Sequence, residues 1–98
     1  MSRNQFVLDG EVIEVDALRH TPAGMPVMSL KLKHESQQEE AGNPSTAQFE
    51  ISAVAFGDTA IDLSIIQPGQ TLSVKGFMNR KNRFSDYPVL HITQFKLI

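Results

Sequence analysis

The chain contains no cysteine, which excludes disulfides and thiol chemistry and fits a reducing, cytoplasmic setting. It has no apolar run approaching the ~20 residues that span a membrane. The opening residues Met1 to Phe6 lead straight into an alternating pattern, without the apolar core of a signal peptide. Catalytic signals are missing as well. His20, His34 and His91 are scattered, with no metal-ligand spacing. No serine sits in a nucleophile-elbow context, and no glycine loop is built to cradle phosphate. Glu39-Glu40 reads as a solvated acidic patch rather than an acid–base pair. These absences point away from an enzyme and toward a protein with no metal and no cofactor.

A surplus of positive charge is also lacking. Nine Lys plus Arg against eleven Asp plus Glu leave a net charge of -2. That excludes attraction of nucleic acid by the whole surface, so any such binding must come from a local patch. The charges are segregated enough to form one. Asp9, Glu11, Glu14 and Asp16 cluster early, and Glu35, Glu39 and Glu40 cluster in the middle. Lys31, Lys33, Arg80, Lys81 and Arg83 are the basic counterpart.

What is present is one small domain, residues 1–98. A domain this size buries only roughly 60–65% of its unfolded surface, so a second copy of the chain would add stability. Hydrophobic residues at 41% and charged residues at 20% exclude wholesale disorder. Strand patterns run along most of the chain. Residues 4–16 alternate loosely, and Gly10 suggests a bulge or sharp bend. Thr21-Pro22-Ala23-Gly24-Met25-Pro26 is a turn. In residues 27–34, Met28, Leu30 and Leu32 point one way and Ser29, Lys31 and Lys33 the other. The polar stretch Glu35 to Ala47 reads as a long loop.

Residues 48–56 form a third strand, with Phe49, Ile51, Ala53 and Ala55 on one face. Residues 57–67 are a connector of one or two helical turns, with Ile61, Leu63, Ile65 and Ile66 as apolar candidates. Residues 71–78 are a fourth strand, again with a glycine inside it, Gly76. Residues 87–98 are the last strand, and His91 reads there as a half-buried sheet residue.

Between the last two strands lies Arg80-Lys81-Asn82-Arg83-Phe84, cations with no anion among them, followed closely by Tyr87. Cations that track phosphates, interleaved with rings that stack on bases, suit a single-stranded nucleic acid. A solvated hairpin turn is the plainer reading of the same residues. Five strands with a connector between the third and fourth describe an all-β, five-stranded OB-fold barrel. Such barrels bind oligonucleotides over strands two and three and the loops joining strands one–two and four–five. Lys31 and Lys33 then fall on strand two and Arg80, Lys81 and Arg83 on the last loop, so two sequence-distant basic groups converge. An SH3-like barrel with lysines that merely solvate one face remains the alternative.

Asn4-Gln5-Phe6-Val7-Leu8-Asp9-Gly10-Glu11-Val12 resembles the first strand of the bacterial single-stranded DNA-binding protein superfamily. The Thr-Pro-x-Gly-x-Pro turn at 21–26, Lys33-His34-Glu35-Ser36, the Gln-Glu-Glu-Ala-Gly stretch at 38–42, Gly69 to Phe77 and Val89-Leu90-His91 narrow the match. Together they resemble the primosomal replication protein N (PriB) family over essentially the whole chain. The resemblance implies a homodimeric OB-fold that binds single-stranded DNA. It implies help in restarting stalled replication forks through the helicase PriA and, in some bacteria, DnaT. Residue by residue it carries over Arg19 near the first turn and Arg80, Lys81 and Arg83 in the basic loop; with Lys31, Lys33, His34, Phe84 and Tyr87 these make up the expected DNA site.

There are departures from the family pattern. Asn43 and Gln48 stand where some relatives have aromatic residues, and Glu35 stands where a basic residue often follows the strand-two histidine. Base–aromatic stacking is worth about 1–3 kcal/mol per base, so the expectation is a weak, salt-sensitive binder that leans more on protein contacts. A protein–protein adaptor whose barrel chiefly docks a replication protein is the second reading.

Overall fold

Met28, Leu30 and Leu32, the apolar half of the alternation over residues 27–34, are all buried. They belong to the longest strand of a closed barrel. The computed structural model describes residues 1–98. It contains β1 (Phe6–Val15), β2 (Arg19–His20), β3 (Pro26–Glu40), β4 (Asn43–Phe56), α1 (Asp58–Leu63), β5 (Thr71–Arg80) and β6 (Pro88–Leu97). The strand order is β1-β5-β6-β4-β3-β2, and a further β1–β3 pairing closes the barrel. β4 and β6 run parallel, joined only at Ala53–Leu90 and Val54–His91; every other pairing is antiparallel. This is the five-stranded OB-fold, with a two-residue strand, β2, added at its edge.

Closure depends on β1 serving two neighbours. Phe6–Glu11 pairs with β5, and Glu11–Val15 pairs with β3. Gly10 sits at the changeover, where a Cβ would come within 3.1 Å of the Leu32 Cβ. Gly76 lies at a register shift between β5 and β6, packed directly against the His91 carbonyl. Gly76 therefore marks a bulge, whereas Gly10 allows a close approach to Leu32, and the register shift in β1 falls between Val12 and Glu14.

The core combines Val12, Leu30, Leu32, Leu72, Val74, Leu90 and Ile92 from the strands with Ala60, Leu63 and Ile66 from the connector. Each fully buried Leu, Ile or Val contributes about 1.5–3 kcal/mol. The six residues of α1 are too few for a stable helix alone. Burial of Ala60 and Leu63 holds it, and the Gly57 amide donates to the Pro26 carbonyl at 2.9 Å. Of the connector's apolar candidates, Leu63 and Ile66 are buried, whereas Ile61 and Ile65 face solvent.

One expectation is corrected. Residues 35–47 are not a loop. β3 and β4 continue as a paired ribbon to Glu40 and Asn43, joined by a two-residue turn. Ala41 (φ 51) and Gly42 (φ 78) both take positive φ, as the tight primed hairpin turns require. Both faces of the outer ribbon are largely wet, so it lacks the apolar alternation that marks a half-buried strand. Cross-strand backbone bonds and polar pairs hold it, including Thr46 Oγ1 donating to Gln37 Oε1 at 3.2 Å.

Candidate nucleic-acid interface

A strand's side chains alternate between faces, so Lys31 and Lys33 share the outer face of β3 while Leu30 and Leu32 fill the core. Lys31 lines a cleft of about 120 Å³ together with Ser29, Val89, Glu14, Asp16 and Lys81. Lys81 is the first residue after β5, at the start of the loop that leads to β6. Arg19, on β2, reaches the same place: its Nη1 donates to Ser29 Oγ at 3.1 Å. Three of the cations expected at the site, drawn from the first turn, the second long strand and the last loop, thus gather around one cleft.

Carboxylates gather there too. Glu14 and Asp16 line the cleft, and Lys31 Nζ lies 3.9 Å from Glu14 Oε2. Lys33 lies further along β3, paired across the ladder with Glu11 on one side and Glu50 on the other. The strand cations are therefore locally compensated, and the cleft is mixed in charge rather than uniformly positive.

The loop from Lys81 to Tyr87 is more open. Its rings are almost bare, Phe84 at 82% and Tyr87 at 80% exposure. The Arg83 guanidinium stands 4.8 Å from the Phe84 ring centre, a cation–π geometry. Local bonds shape the loop: the Phe84 amide donates to Asn82 Oδ1 at 2.9 Å, and the Ser85 amide to the Asn82 carbonyl at 3.2 Å. Arg80 is the last residue of β5 rather than a loop residue, and its carbonyl accepts from His91 Nε2 at 3.3 Å.

His34 is separated from the other expected site residues. It sits next to Lys33 on the strand and so faces the opposite way, toward the inner side of the ribbon. Its Nδ1 donates to the Asp9 carbonyl at 2.6 Å, and its Nε2 accepts from Ser36 Oγ at 2.8 Å. Its ring also rests 5.0 Å from that of Phe49. Both ring nitrogens are committed, so His34 braces the ribbon against β1 and has no free hydrogen-bonding group for a phosphate.

The sequence reading missed one group. The His91 ring stacks between Phe77 (5.1 Å, planes 14° apart) and Phe56 (5.9 Å, 20°) on the barrel exterior. These residues come from β4, β5 and β6, and only the strand order shows that they meet.

The barrel has counterparts in known proteins. A family model described as another single-strand binding protein family matches residues 4–94. Replication restart protein PriB of Nitrosomonas europaea is 36% identical over 98 residues, covering 100% of this chain and 91% of that protein. Its counterpart in Bordetella pertussis is 41% identical over 95 residues, covering 97% and 89%. The chain belongs to the PriB family of single-strand binding proteins. The fold agrees as well: the solved structure of PriB from Ralstonia solanacearum superposes with a TM-score of 0.89 at 31% identity, covering 98% of each chain. Membership in the PriB family accounts for the barrel topology and for its all-β composition with one short helix.

Proposed function

We propose that this protein is a single-stranded DNA-binding accessory factor of replication restart. The observation that carries the reading is the meeting of Lys31, Lys81 and, through Ser29, Arg19 at one cleft beside a loop that holds Phe84 and Tyr87 bare. Cations would track the phosphates and the rings would stack on bases, worth about 1–3 kcal/mol per base. The single-strand binding family and the replication restart proteins within it support the same role. Binding is weak and steeply salt-dependent, because Glu14, Asp16, Glu11 and Glu50 stand among the cations and no ring projects from Asn43 or Gln48. The protein acts as a homodimer that presents the loop twice, assists the PriA helicase in the cytoplasm, and has DnaT as a second candidate partner.

Titration of a labelled single-stranded oligonucleotide at two ionic strengths, beside sedimentation of the protein alone, tests this. The expected result is a two-chain species whose affinity collapses at the higher salt. A monomer, or affinity indifferent to salt, would count against it.

The carboxylates in the cleft favour a second reading, an adaptor that mainly docks a replication protein. Recovery of the helicase in a pull-down, equally after nuclease treatment and after neutralising Arg80, Lys81 and Arg83, would support that reading over the first.

A further inference from the structure

The outward side chains of β6 form a continuous line along the barrel. Val89 lines the mixed-charge cleft. His91, two residues on, carries the ring stack with Phe56 and Phe77. Thr93 and Gln94 follow, and together with Phe77, Phe6 and Lys75 they line a groove of about 510 Å³. A smaller groove of about 190 Å³ adjoins it, sharing Lys75 and Gln94 and adding Ser73 and Lys96. No carboxylate lines either groove, in contrast to the cleft; Asp9 on β1 is the ladder partner of Ser73. Neither Lys75 nor Lys96 has an ion-pair partner. Phe56 and Phe6 are 42% and 45% exposed, so the rings present surface to a ligand.

The ladder also ties β4, β5 and β6 together, and packing alone would explain its presence. Packing does not explain why unpaired lysines continue the same line beyond it. Cations spaced along a groove with ring faces between them are the elements that hold a single strand without reading its sequence. We infer that the single-strand path does not end at the cleft: it crosses the Phe56–His91–Phe77 ladder and runs along β6 to the groove of Lys75 and Lys96. The occupant is the phosphate backbone of the same strand that enters the cleft. This inference rests on the DNA-binding reading above.

The test uses two labelled oligothymidylates and the variant Lys75→Gln/Lys96→Gln. One oligonucleotide, about four nucleotides long, is at the short end of the ~4–16 nucleotides that one OB barrel occupies and covers little beyond the cleft; the other, about 24, exceeds that range. Glutamine keeps the length of the stems and removes the charges, and a thermal melt verifies that the variant folds. The expected result is a loss of about tenfold for the longer oligonucleotide at 0.1 M salt, a log–log salt slope flatter by about 1.4, and no change for the shorter one. Wild-type affinity of the variant for both lengths would overturn the inference while leaving the cleft reading intact. An equal loss for both lengths would overturn it too, since it would assign the lysines a general field effect. If the wild-type protein binds neither oligonucleotide, the DNA-binding reading itself fails, and the path with it.

Discussion

Lys31 and Glu14 form an ion pair at 3.9 Å within the cleft that Lys81 also lines. The Glu14 side chain is 69% exposed, so the pair adds at most about 1 kcal/mol to stability. Its larger effect falls on a ligand. A carboxylate beside the lysine repels an incoming phosphate by an energy on the order of 0.5–1 kcal/mol in a watery site. Glu14→Gln should therefore tighten single-stranded DNA binding about threefold at low salt and leave the melting temperature nearly unchanged. Fluorescence titration and a thermal melt measure both. Unchanged affinity would remove the cleft from the DNA path.

Gly76 allows β5 to pass over the His91 carbonyl, because any Cβ there would overlap that backbone oxygen. Backbone at a sheet register shift has little room to yield. Gly76→Ala should cost about 2–4 kcal/mol, near the upper end for overpacking, and lower the melting temperature by roughly 10–20 °C. Chemical denaturation gives the first figure and calorimetry the second. A variant as stable as the parent would mean that the strands can separate at this point without cost.

Phe84 and Tyr87 are exposed at 82% and 80%, so truncating either removes almost no packing. Phe84→Ala and Tyr87→Ala should each leave folding intact and weaken binding by about 1–3 kcal/mol if a base stacks on the ring. Affinity for a thymidine oligomer, measured beside a melt, separates the two effects. A ring whose loss changes neither has no role in binding.

Ala41 adopts positive φ in the turn between β3 and β4, where a Cβ is unfavourable by about 1 kcal/mol. Ala41→Gly should relieve that strain and slow amide exchange at Glu40 and Asn43, the last cross-strand pair. Faster exchange in the variant would show that glycine's added freedom in the unfolded chain outweighs the relief.

The barrel strands were legible in the sequence because each buries one face. The alternation of Met28, Leu30 and Leu32 with polar neighbours can be read without coordinates. The outer ribbon was not legible, since Ser36, Gln37, Gln38, Ser45 and Thr46 are polar on both faces. Its turn uses Ala41 where asparagine would have announced a hairpin. Topology alone puts Lys31 and Lys33 on the side of the last loop; the structure brings Lys31 and Lys81 to one cleft and leaves Lys33 further along β3. The carboxylates around them were not legible, because the pairing of Lys31 with Glu14, like that of Lys33 with Glu11 and Glu50, is a matter of register. His34 was a signal overlooked: adjacency to Lys33 on a strand already puts it on the other face. The Phe56–His91–Phe77 ladder joins three strands, and no local pattern reveals it.

The most direct test is the salt dependence of single-stranded DNA binding, measured for the parent and for the Arg80→Ala, Lys81→Ala, Arg83→Ala variant. If two chains together contact about four to six phosphates, log K against log salt should fall with a slope near -3 to -4. The variant's slope should be clearly shallower. A variant with the parent's slope and affinity would contradict the account, because it would place the DNA away from the loop that carries it.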